Sequence, residues 1–253
     1  MKTYAMTGGA TGIGAAIKNQ LLRDGHDVIV VDIKNANIVA DLSTKEGRQS
    51  AIDALYSKCV DGIDGFITCA GLGSHIPNRP LITAVNYFGT VQLVDQLSDL
   101  IAKKRGSVLL ISSNSAPMTT NSQYVEQLLD GDEQAASKTS EGMEGQQVYS
   151  GTKQAIARWM RHNVERFANR GIRINAIAPG YTQTPMTQQI EKDPTYSKAI
   201  KAFMETIPVG RPGQPKDMAS AAKFLLSDDA SFVCGSVLFV DGGHDAVARP
   251  DSF

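Results

Sequence analysis

The feature that most constrains this chain is a regular alternation of strand-like and helix-like segments that begins at a glycine-rich turn. An apolar run at Tyr4–Thr7 stops at Gly8, and apolar residues then recur at helical spacing from Ile13 to Leu22. A β-branched run, Val28–Val31, follows and is typical of a strand that is buried on both faces of a parallel sheet. Together these segments predict a strand–helix–strand unit with parallel strands.

The same alternation continues along the sequence, with no linker-like change of composition. It predicts an α/β fold with one doubly wound parallel sheet, in a single domain spanning 1–253. Hydrophobic residues make up 42% of the chain, which is enough for a large core. The further predicted helices are Lys45–Lys58, Leu81–Lys103, Val148–Ala168 and Pro215–Leu226, and the further predicted strands are Gly65–Cys69, Val108–Ile111, Arg173–Ile177 and Val237–Val240.

Two segments interrupt this alternation. A polar, acidic insertion occupies about 114–147 and carries a short helical pattern at Tyr124–Leu129. It is either a surface excursion without a chemical role or a segment that shapes a substrate opening or an interface. The second segment, about 187–207, is long enough to form a mobile helical lid over a substrate. Its apolar residues, which either pack on the core or cover an apolar ligand, are Met186, Ile190, Tyr196, Ile200, Phe203 and Met204.

Charge and cysteine usage argue against several classes of function. The 25 Lys and Arg residues are balanced by 26 Asp and Glu residues, so neither a nucleic acid nor an anionic membrane is expected as a partner. Three widely spaced cysteines, with no histidine at metal-ligand spacing, predict neither a disulfide framework nor a metal site. Because the sequence shows no secretory signal and no apolar run of membrane length, we expect a cytoplasmic protein.

The stretch Thr7–Gly14 predicts a dinucleotide site. Its glycines allow the backbone to approach a pyrophosphate, and the following helix supplies oriented N–H groups, although glycine is also common in ordinary tight connections. Asp32, about twenty residues further on at the end of the second predicted strand, can accept hydrogen bonds from ribose hydroxyls. This carboxylate would repel a 2′-phosphate, which favours NAD over NADP, while Lys34 could offset part of the repulsion.

One tyrosine and one lysine suggest acid–base chemistry. Among the seven tyrosines only Tyr149 has a lysine, Lys153, four residues later, and this spacing places both side chains on one face of a helix. A free phenol has a pKa of about 10, and a nearby ammonium together with an oxidised nicotinamide would lower it toward the range of a general base. Such pairs also occur on ordinary helix surfaces, so the interpretation depends on the dinucleotide site upstream.

Short motifs of specific composition follow one another along the whole chain. They are Thr7-Gly8-x-x-x-Gly12-x-Gly14, Cys69-Ala70-Gly71, Asn86, Ile111-Ser112-Ser113, Tyr149-x-x-x-Lys153, Pro179-Gly180-x-x-x-Thr184 and Asp241-Gly242-Gly243. In this order they resemble the motifs of the short-chain dehydrogenase/reductase family over essentially the whole sequence. The resemblance implies a Rossmann-type fold and a catalytic tetrad of Asn86, Ser113, Tyr149 and Lys153, with Ser112 as the alternative to Ser113.

The same resemblance implies which residues bind the dinucleotide. Thr68 and Cys69 depart from the family pattern, which commonly has two asparagines at these positions, and this bears on the support of the local strand. The implied cofactor-binding residues are Gly8, Thr11, Gly12, Ile13 and Gly14 at the pyrophosphate, Asp32, Asp41 and Leu42 at the adenosine end, Ala70 and Gly71 along the other ribose, and Tyr149, Lys153, Pro179, Gly180, Thr182 and Thr184 at the nicotinamide end.

The activity implied by the resemblance is an NAD-dependent oxidoreductase that interconverts a secondary alcohol and a ketone. Four segments also resemble the bacterial 3α-hydroxysteroid dehydrogenase/carbonyl reductase subgroup, namely Ala40–Thr44, Cys69–Gly73, Val85–Gly89 and Asp241–Pro250. We therefore expect a hydroxysteroid or another bulky cyclic ketone as substrate, and a homo-oligomer, dimer or tetramer, as the assembly. The alternatives are a reductase of small cyclic ketones and an NAD-binding sensor without turnover.

Overall fold

The structure is a computed structural model that describes residues 1–191, 200 and 202–252. Its strands are β1 (Thr3–Thr7), β2 (Asp27–Asp32), β3 (Ile38–Val39), β4 (Gly65–Thr68), β5 (Ser107–Ile111), β6 (Arg173–Pro179) and β7 (Val237–Val240). They form one parallel seven-stranded sheet in the order β3-β2-β1-β4-β5-β6-β7. The chain runs from β1 to one edge and then from β4 to the other, which confirms the predicted doubly wound fold.

Helices connect the strands and cover both faces of the sheet. No helix in the described part of the chain is long and apolar enough to cross a membrane. A π-helical turn, Ala84–Phe88, separates the third and fourth helices. The helices are α1 (Gly12–Arg23), α2 (Lys45–Lys58), α3 (Arg79–Thr83), α4 (Gly89–Gln96), α5 (Ser98–Lys103), α6 (Ser122–Leu129), α7 (Glu133–Glu141), α8 (Gly145–Ala168), α9 (Pro185–Glu191), α10 (Pro215–Leu226) and α11 (His244–Ala248).

Successive side chains of each strand point into two different apolar cores. Tyr4 and Met6 of β1 belong to the core under α1 and α10, whereas Ala5 belongs to the core under α2, α4, α5 and α8. In β5, Leu109 lies in the first core and Leu110 in the second. Because both faces are buried, the strands appear in the sequence as continuous apolar runs.

Helix α1 crosses the end of β1 at very short range. A Cβ atom added to Gly14 would lie 1.8 Å from the Gly8 carbonyl oxygen, which leaves no room for a side chain. Gly8 has a φ of 72°, in the left-handed region that favours glycine. This contact fixes the position of the N-terminus of α1 relative to the sheet.

The insertion at about 114–147 contains two helices that pack on the rest of the domain. Its predicted helical pattern corresponds to α6, whose Tyr124 is fully buried where α6 packs against α8. Helix α7 buries Ala136 and packs against α3. Both helices begin at a side-chain cap, since Asn121 accepts a hydrogen bond from the Tyr124 N–H at 3.0 Å and Asp132 accepts one from the Ala135 N–H at 2.9 Å.

Several details of the predicted elements differ from the structure. The helix predicted at Leu81–Lys103 begins at Arg79 and is divided into α3, the π-helical turn, α4 and α5. The division was not predicted because one wider turn does not change the apolar spacing in the sequence. The helix predicted from Val148 begins at Gly145, a residue type with poor helix propensity. The short strand β3 was not predicted, because it has too few residues to produce a pattern in the sequence.

The segment predicted as a lid, about 187–207, is partly described. Helix α9 includes its first residues, and 202–205 are helical. The ring of Phe203 lies 6.3 Å from the ring of Tyr181 and 4.6 Å from the ring of His244, so this side chain packs on the body of the protein. Tyr196 and the side chain of Ile190 lie outside the described residues.

The α1–β1 contact predicts the effect of a single methyl group. Alanine normally stabilises a helix by about 1 kcal/mol relative to glycine, but in Gly14→Ala the methyl group meets the backbone of the turn. We expect a net loss of roughly 1–3 kcal/mol in the free energy of unfolding, measured by urea denaturation. Gly142→Ala is the control, because its added Cβ would meet nothing within 4 Å. A stabilised Gly14→Ala variant would contradict the close crossing.

Candidate active site

The residues predicted to form a site follow β1, β2, β4, β5 and β6 in the chain. The carboxyl ends of these parallel strands meet at one edge of the sheet. The chain reverses the direction in which it adds strands between β1 and β4, and open α/β sheets bind ligands in the crevice at such a point. The fold therefore brings the predicted site residues to the edge where α/β sheets bind ligands.

The turn between β1 and α1 offers backbone donors without side chains in the way. The first N–H groups of a helix have no partner within it, and the Thr11 side chain does not cap those of α1. On the other side, a Cβ atom on Gly8 would lie 2.4 Å from the Ala70 nitrogen, so the turn touches the loop after β4 directly. The Ala70 N–H donates to the Thr7 hydroxyl at 3.1 Å. Such an arrangement can hold a pyrophosphate.

Asp32 lies at the end of β2 beside this turn. Its carboxylate accepts hydrogen bonds from the Ala10 N–H at 3.1 Å and from the Ile33 N–H at 2.8 Å. These two bonds fix the negative charge at the end of β2, next to the glycine-rich turn.

The segment Asp41–Leu42 follows β3 on the same side. Hydrogen bonds from Ser43 hold the pKa of the Asp41 carboxyl below its usual value, and the Ser43 N–H donates to it at 2.9 Å. The side chain of Leu42 is buried in the core, 3.2 Å from the position that a Cβ atom on Gly89 would take. The backbone of Leu42, rather than its side chain, is therefore the part that a ligand could contact.

The loop after β6 closes the other end of the crevice. Pro179 is buried and ends β6, and a Cβ atom on Gly180 would lie 2.6 Å from the Asp241 Cα. Thr182 is also buried, and its hydroxyl donates to the Gly180 carbonyl at 2.9 Å. The loop is thus rigid up to Thr182.

Thr184 extends this loop back to the glycine-rich turn. Its Cβ lies 3.5 Å from the position that a Cβ atom on Gly12 would take, so the loop after β6 approaches the glycine-rich turn there. Thr187, which the sequence analysis did not single out, supports Thr184. Its hydroxyl donates to the Thr182 carbonyl at 2.7 Å, and it accepts a hydrogen bond from the Thr184 N–H at 2.8 Å.

Tyr149, Lys153 and Ser113 meet beside the ends of β5 and β6. The Lys153 Nζ lies 5.6 Å from the centroid of the Tyr149 ring and donates to the Ile111 carbonyl at 2.9 Å. The Ser113 side chain interacts with the Tyr149 phenol and lowers its pKa. The Ser113 hydroxyl oxygen also accepts hydrogen bonds from Ser115, from its N–H at 3.1 Å and its hydroxyl at 3.0 Å. Ser115 therefore supports Ser113, a role that no sequence motif indicated.

Ser112, the alternative to Ser113, has a different role. Its hydroxyl is buried and donates to the Lys153 carbonyl oxygen at 3.0 Å. This bond fastens β5 to α8 at the level of the lysine. The geometry thus favours Ser113 as the serine that faces a reacting group.

Asn86 lies in the π-helical turn and is fully buried. Its amide binds the backbone of Leu72 in both directions, donating to the carbonyl at 3.0 Å and accepting from the N–H at 2.7 Å. The position of a Cβ atom on Gly71 would be 3.5 Å from the Asn86 Oδ1 and 3.9 Å from the Lys153 Nζ. Asn86 therefore fixes the loop after β4 next to the lysine.

Burial dominates the acid–base properties of this group of residues. It lowers the pKa of Lys153 to about 8 and raises the pKa of Cys69, the thiol beside it, to about 12. Burial also raises the pKa of Tyr149 above its ordinary value, and the interaction with Ser113 opposes this shift. The lowering of the phenol pKa by an ammonium together with an oxidised nicotinamide stays a prediction, because within the protein itself burial is the largest influence.

No group of His, Cys, Asp and Glu side chains in the described part of the chain is arranged to hold a metal ion. The site therefore consists of a glycine-rich turn with an adjacent acidic residue, and of a buried tyrosine, serine and lysine at the other end of the crevice. These are the parts that hydride-transferring enzymes use to bind a dinucleotide and to move a proton.

The chain belongs to the short-chain dehydrogenase/reductase family of oxidoreductases. The family described as short chain dehydrogenase matches residues 2–125, and the one described as enoyl-(acyl carrier protein) reductase matches residues 134–245. These two matches cover most of the chain on both sides of the insertion's centre.

Three relatives illustrate the similarity. The chain is 38% identical to the 3-alpha-hydroxysteroid dehydrogenase/carbonyl reductase of Comamonas testosteroni, over the full length of both proteins. It is 40% identical to the 3-alpha-hydroxysteroid dehydrogenase of Pseudomonas sp. B-0831, whose crystal structure contains NADH, with a TM-score of 0.95 over 99% of this chain and 100% of that one. It is 31% identical to a 2-(S)-hydroxypropyl-CoM dehydrogenase of Xanthobacter autotrophicus, over 97% of each protein.

The buried ammonium of Lys153 predicts a pH-dependent difference in stability. Its pKa is lower in the folded chain than in an unfolded one, so the unfolded chain binds more protons between about pH 8 and pH 10.5, and the stability of the wild type gains from rising pH there. Lys153→Met lacks this gain. The stability of the variant relative to the wild type should therefore fall by roughly 3 kcal/mol across that range.

Urea denaturation of both proteins from pH 7 to pH 10.5 measures this difference, and other titrating groups cancel in the comparison. Lys138→Met is the control, because the exposed ammonium of Lys138 stays in water when the chain folds. A difference at Lys153 that does not change with pH would show that its ammonium is not desolvated.

Proposed function

We propose that this protein is an NAD(H)-dependent dehydrogenase/reductase that interconverts a secondary alcohol and a ketone, with hydroxysteroids or other bulky cyclic ketones as substrates. The observation that carries the proposal is the arrangement of Tyr149, Ser113 and Lys153 at the end of a crevice that starts at the glycine-rich turn. The Pseudomonas relative with NADH in its crystal structure supports the cofactor.

The residues present fit a nicotinamide dinucleotide. Because Gly8 and Gly14 have no Cβ atom, the turn after β1 packs closely against α1 and against the loop after β4. A pyrophosphate can approach the uncapped N–H groups of α1 at this turn. Asp32 is fixed by two backbone N–H groups where it can accept hydrogen bonds from ribose hydroxyls. Because it would repel a 2′-phosphate, we assign NAD rather than NADP to this chain.

When bound, the nicotinamide supplies the hydride acceptor for oxidation and the hydride donor for reduction. Tyr149 takes the proton of the substrate hydroxyl in oxidation and returns it in reduction. Ser113, whose side chain interacts with the phenol, donates a hydrogen bond to the substrate oxygen. Lys153 binds the ribose hydroxyls, and its positive charge favours the phenolate of Tyr149. Asn86 holds the loop beside Lys153 and helps to retain a water molecule that links the lysine to solvent.

Several observations support a bulky apolar substrate. Met186, at the start of α9, is partly exposed, and its sulfur lies 3.1 Å from the position that a Cβ atom on Gly73 would take. The loop after β4 and the segment after β6 thus meet at this contact, where Met186 offers an exposed apolar side chain. Two relatives that are 38% and 40% identical act on 3α-hydroxysteroids by name. A reductase of small cyclic ketones is the second candidate, since members of one fold exchange substrates readily.

The assembly and location belong to the same proposal. Cys59, Cys69 and Cys234 are free, and an exposed free thiol such as that of Cys234 is typical of a reducing compartment. We therefore propose a cytoplasmic location. As members of this family are expected to assemble, we also propose a homo-oligomer, either a dimer or a tetramer. A sensor without turnover is less consistent with the chain, because such a sensor has no need for a desolvated tyrosine–lysine pair.

Replacing the tyrosine hydroxyl tests the mechanism. Tyr149→Phe keeps the ring but removes the atom that carries the proton, so kcat should fall by roughly 10²–10⁴-fold or more. NADH binding, followed by the quenching of protein fluorescence, should remain within about twofold of the wild type. Tyr56→Phe is the matched control, because the Tyr56 hydroxyl donates to the Gln96 carbonyl at 2.7 Å, in a different part of the structure. Near-normal activity of Tyr149→Phe would place the base elsewhere.

A substrate panel tests the proposed substrate class. Oxidation of hydroxysteroids, cyclic alcohols, hydroxy acids and sugar alcohols is followed with NAD⁺ and with NADP⁺ at saturating concentration. Hydroxysteroids should give the highest kcat/KM, and NAD⁺ should be preferred because of Asp32. A preference for hydroxy acids or sugar alcohols would overturn the substrate class but not the reaction class, and turnover of none of these would favour the sensor.

A further inference from the structure

Arg48, on α2, is a fully buried side chain with 1% of its surface exposed. One nitrogen of its guanidinium donates to the Leu42 carbonyl oxygen at 3.2 Å, and another donates to the Glu133 carboxylate at 2.7 Å. Its Nε is buried without a hydrogen-bond partner among the described residues. Since a buried guanidinium needs both neutralisation and hydrogen bonds, these two contacts determine where it lies.

Glu133 comes from a distant part of the sequence. It is the first residue of α7 in the insertion and lies 85 positions after Arg48. Asp132 caps this helix, which packs against α3 and against the π-helical turn that carries Asn86. The carboxylate is mostly buried, with 19% of the side chain exposed. The insertion therefore reaches the segment that follows β3.

The segment Asp41–Leu42 is fixed from three sides. A Cβ atom on Gly47 would lie 2.0 Å from the Asp41 carbonyl oxygen, so α2 presses on it directly. The Thr44 hydroxyl donates to the same oxygen at 3.2 Å. The third contact is the bond from Arg48 to the Leu42 carbonyl, which is the one that involves a charge and that depends on Glu133.

We infer that Arg48 and Glu133 position the Asp41–Leu42 backbone for the adenine end of the dinucleotide, so that the insertion sets the affinity for that half of the cofactor. The inference rests on the proposed function, because it takes Asp41–Leu42 as the adenine contact. Both are positioning residues, since neither lies among the residues that act on the substrate. Without the negative charge, the guanidinium is no longer held in place and the Leu42 carbonyl loses its charged donor.

Glu133→Gln removes the charge and keeps the shape of the side chain. The dissociation constants of NADH and of AMP, which carries the adenine half alone, should both rise by about tenfold, the loss of one charge-assisted hydrogen bond. The kcat at saturating NADH should stay within about twofold of the wild type. An equal rise in the dissociation constants of NADH and of AMP distinguishes the inference from a general loss of stability. It shows that the whole effect on NADH affinity arises at the adenine half.

Glu126→Gln is the matched control. It is the same substitution in the same insertion, and it removes the exposed ion pair of Glu126 with Arg158 at 2.8 Å. Its affinities for NADH and AMP should equal those of the wild type. Wild-type AMP affinity in Glu133→Gln, or equal losses in both variants, would overturn the inference. Failure of the wild type to bind NADH or AMP would instead refute the proposed function.

A second variant keeps the test decisive if Glu133→Gln does not fold. The double variant Arg48→Met, Glu133→Leu replaces both charged groups by apolar groups of similar size. Proteins often remain stable when a buried ion pair is replaced in this way. It still lacks the donor to the Leu42 carbonyl, so its affinity for AMP should be lower by about the same tenfold. AMP affinity equal to that of the wild type in a folded double variant would overturn the inference.

Discussion

The crossing of α1 over the end of β1 leaves no space for a side chain at Gly14, the loop after β4 leaves none at Gly8, and the site depends on these two contacts. They bring the start of α1 against the loop after β4, where the Ala70 N–H is bonded to Thr7. The carboxyl end of β2 then lies close enough for the Asp32 carboxylate to accept a bond from Ala10. Steric constraints in the first turn thus place the donors, the acidic residue and the neighbouring loop around one crevice.

The other end of the crevice is governed by the cost of burying charge. Lys153 is desolvated enough to bring its pKa to about 8, and its ammonium is stabilised mainly by the Ile111 carbonyl. Such a group lowers the stability of the fold, and it is retained at a position where it can bind a ligand. Tyr149 is buried as well, so its phenol stays protonated more firmly than a free one. A cationic ring beside it would change that balance, which makes the acidity of Tyr149 a property of the complex rather than of the protein alone.

The sequence predicted the fold well because the signals that define it are local. Continuous apolar strands follow from burial on both faces, and the spacing of Tyr149 and Lys153 follows from the geometry of one helix. The contact of Arg48 with Glu133 left no local signal, since the two residues are 85 positions apart. The π-helical turn around Asn86 was missed because its apolar residues keep a helical pattern. The raised pKa of Tyr149 was missed because it arises from burial, which becomes known only once the chain is folded.

The contacts of the insertion indicate which parts of the fold can vary among members of one family and which cannot. The strands and α1 are held by packing that allows little change, as the glycine contacts show. The insertion instead attaches to this frame by α6 against α8 and by α7 against α3, and it reaches the segment after β3 through one buried ion pair. Met186, after β6, and the loop at Gly73, after β4, also meet outside the sheet. Segments outside the sheet can therefore vary among members of a fold, while the packing of α8 against β6 and the bond from Ser112 to the Lys153 carbonyl hold Tyr149 and Lys153 in place.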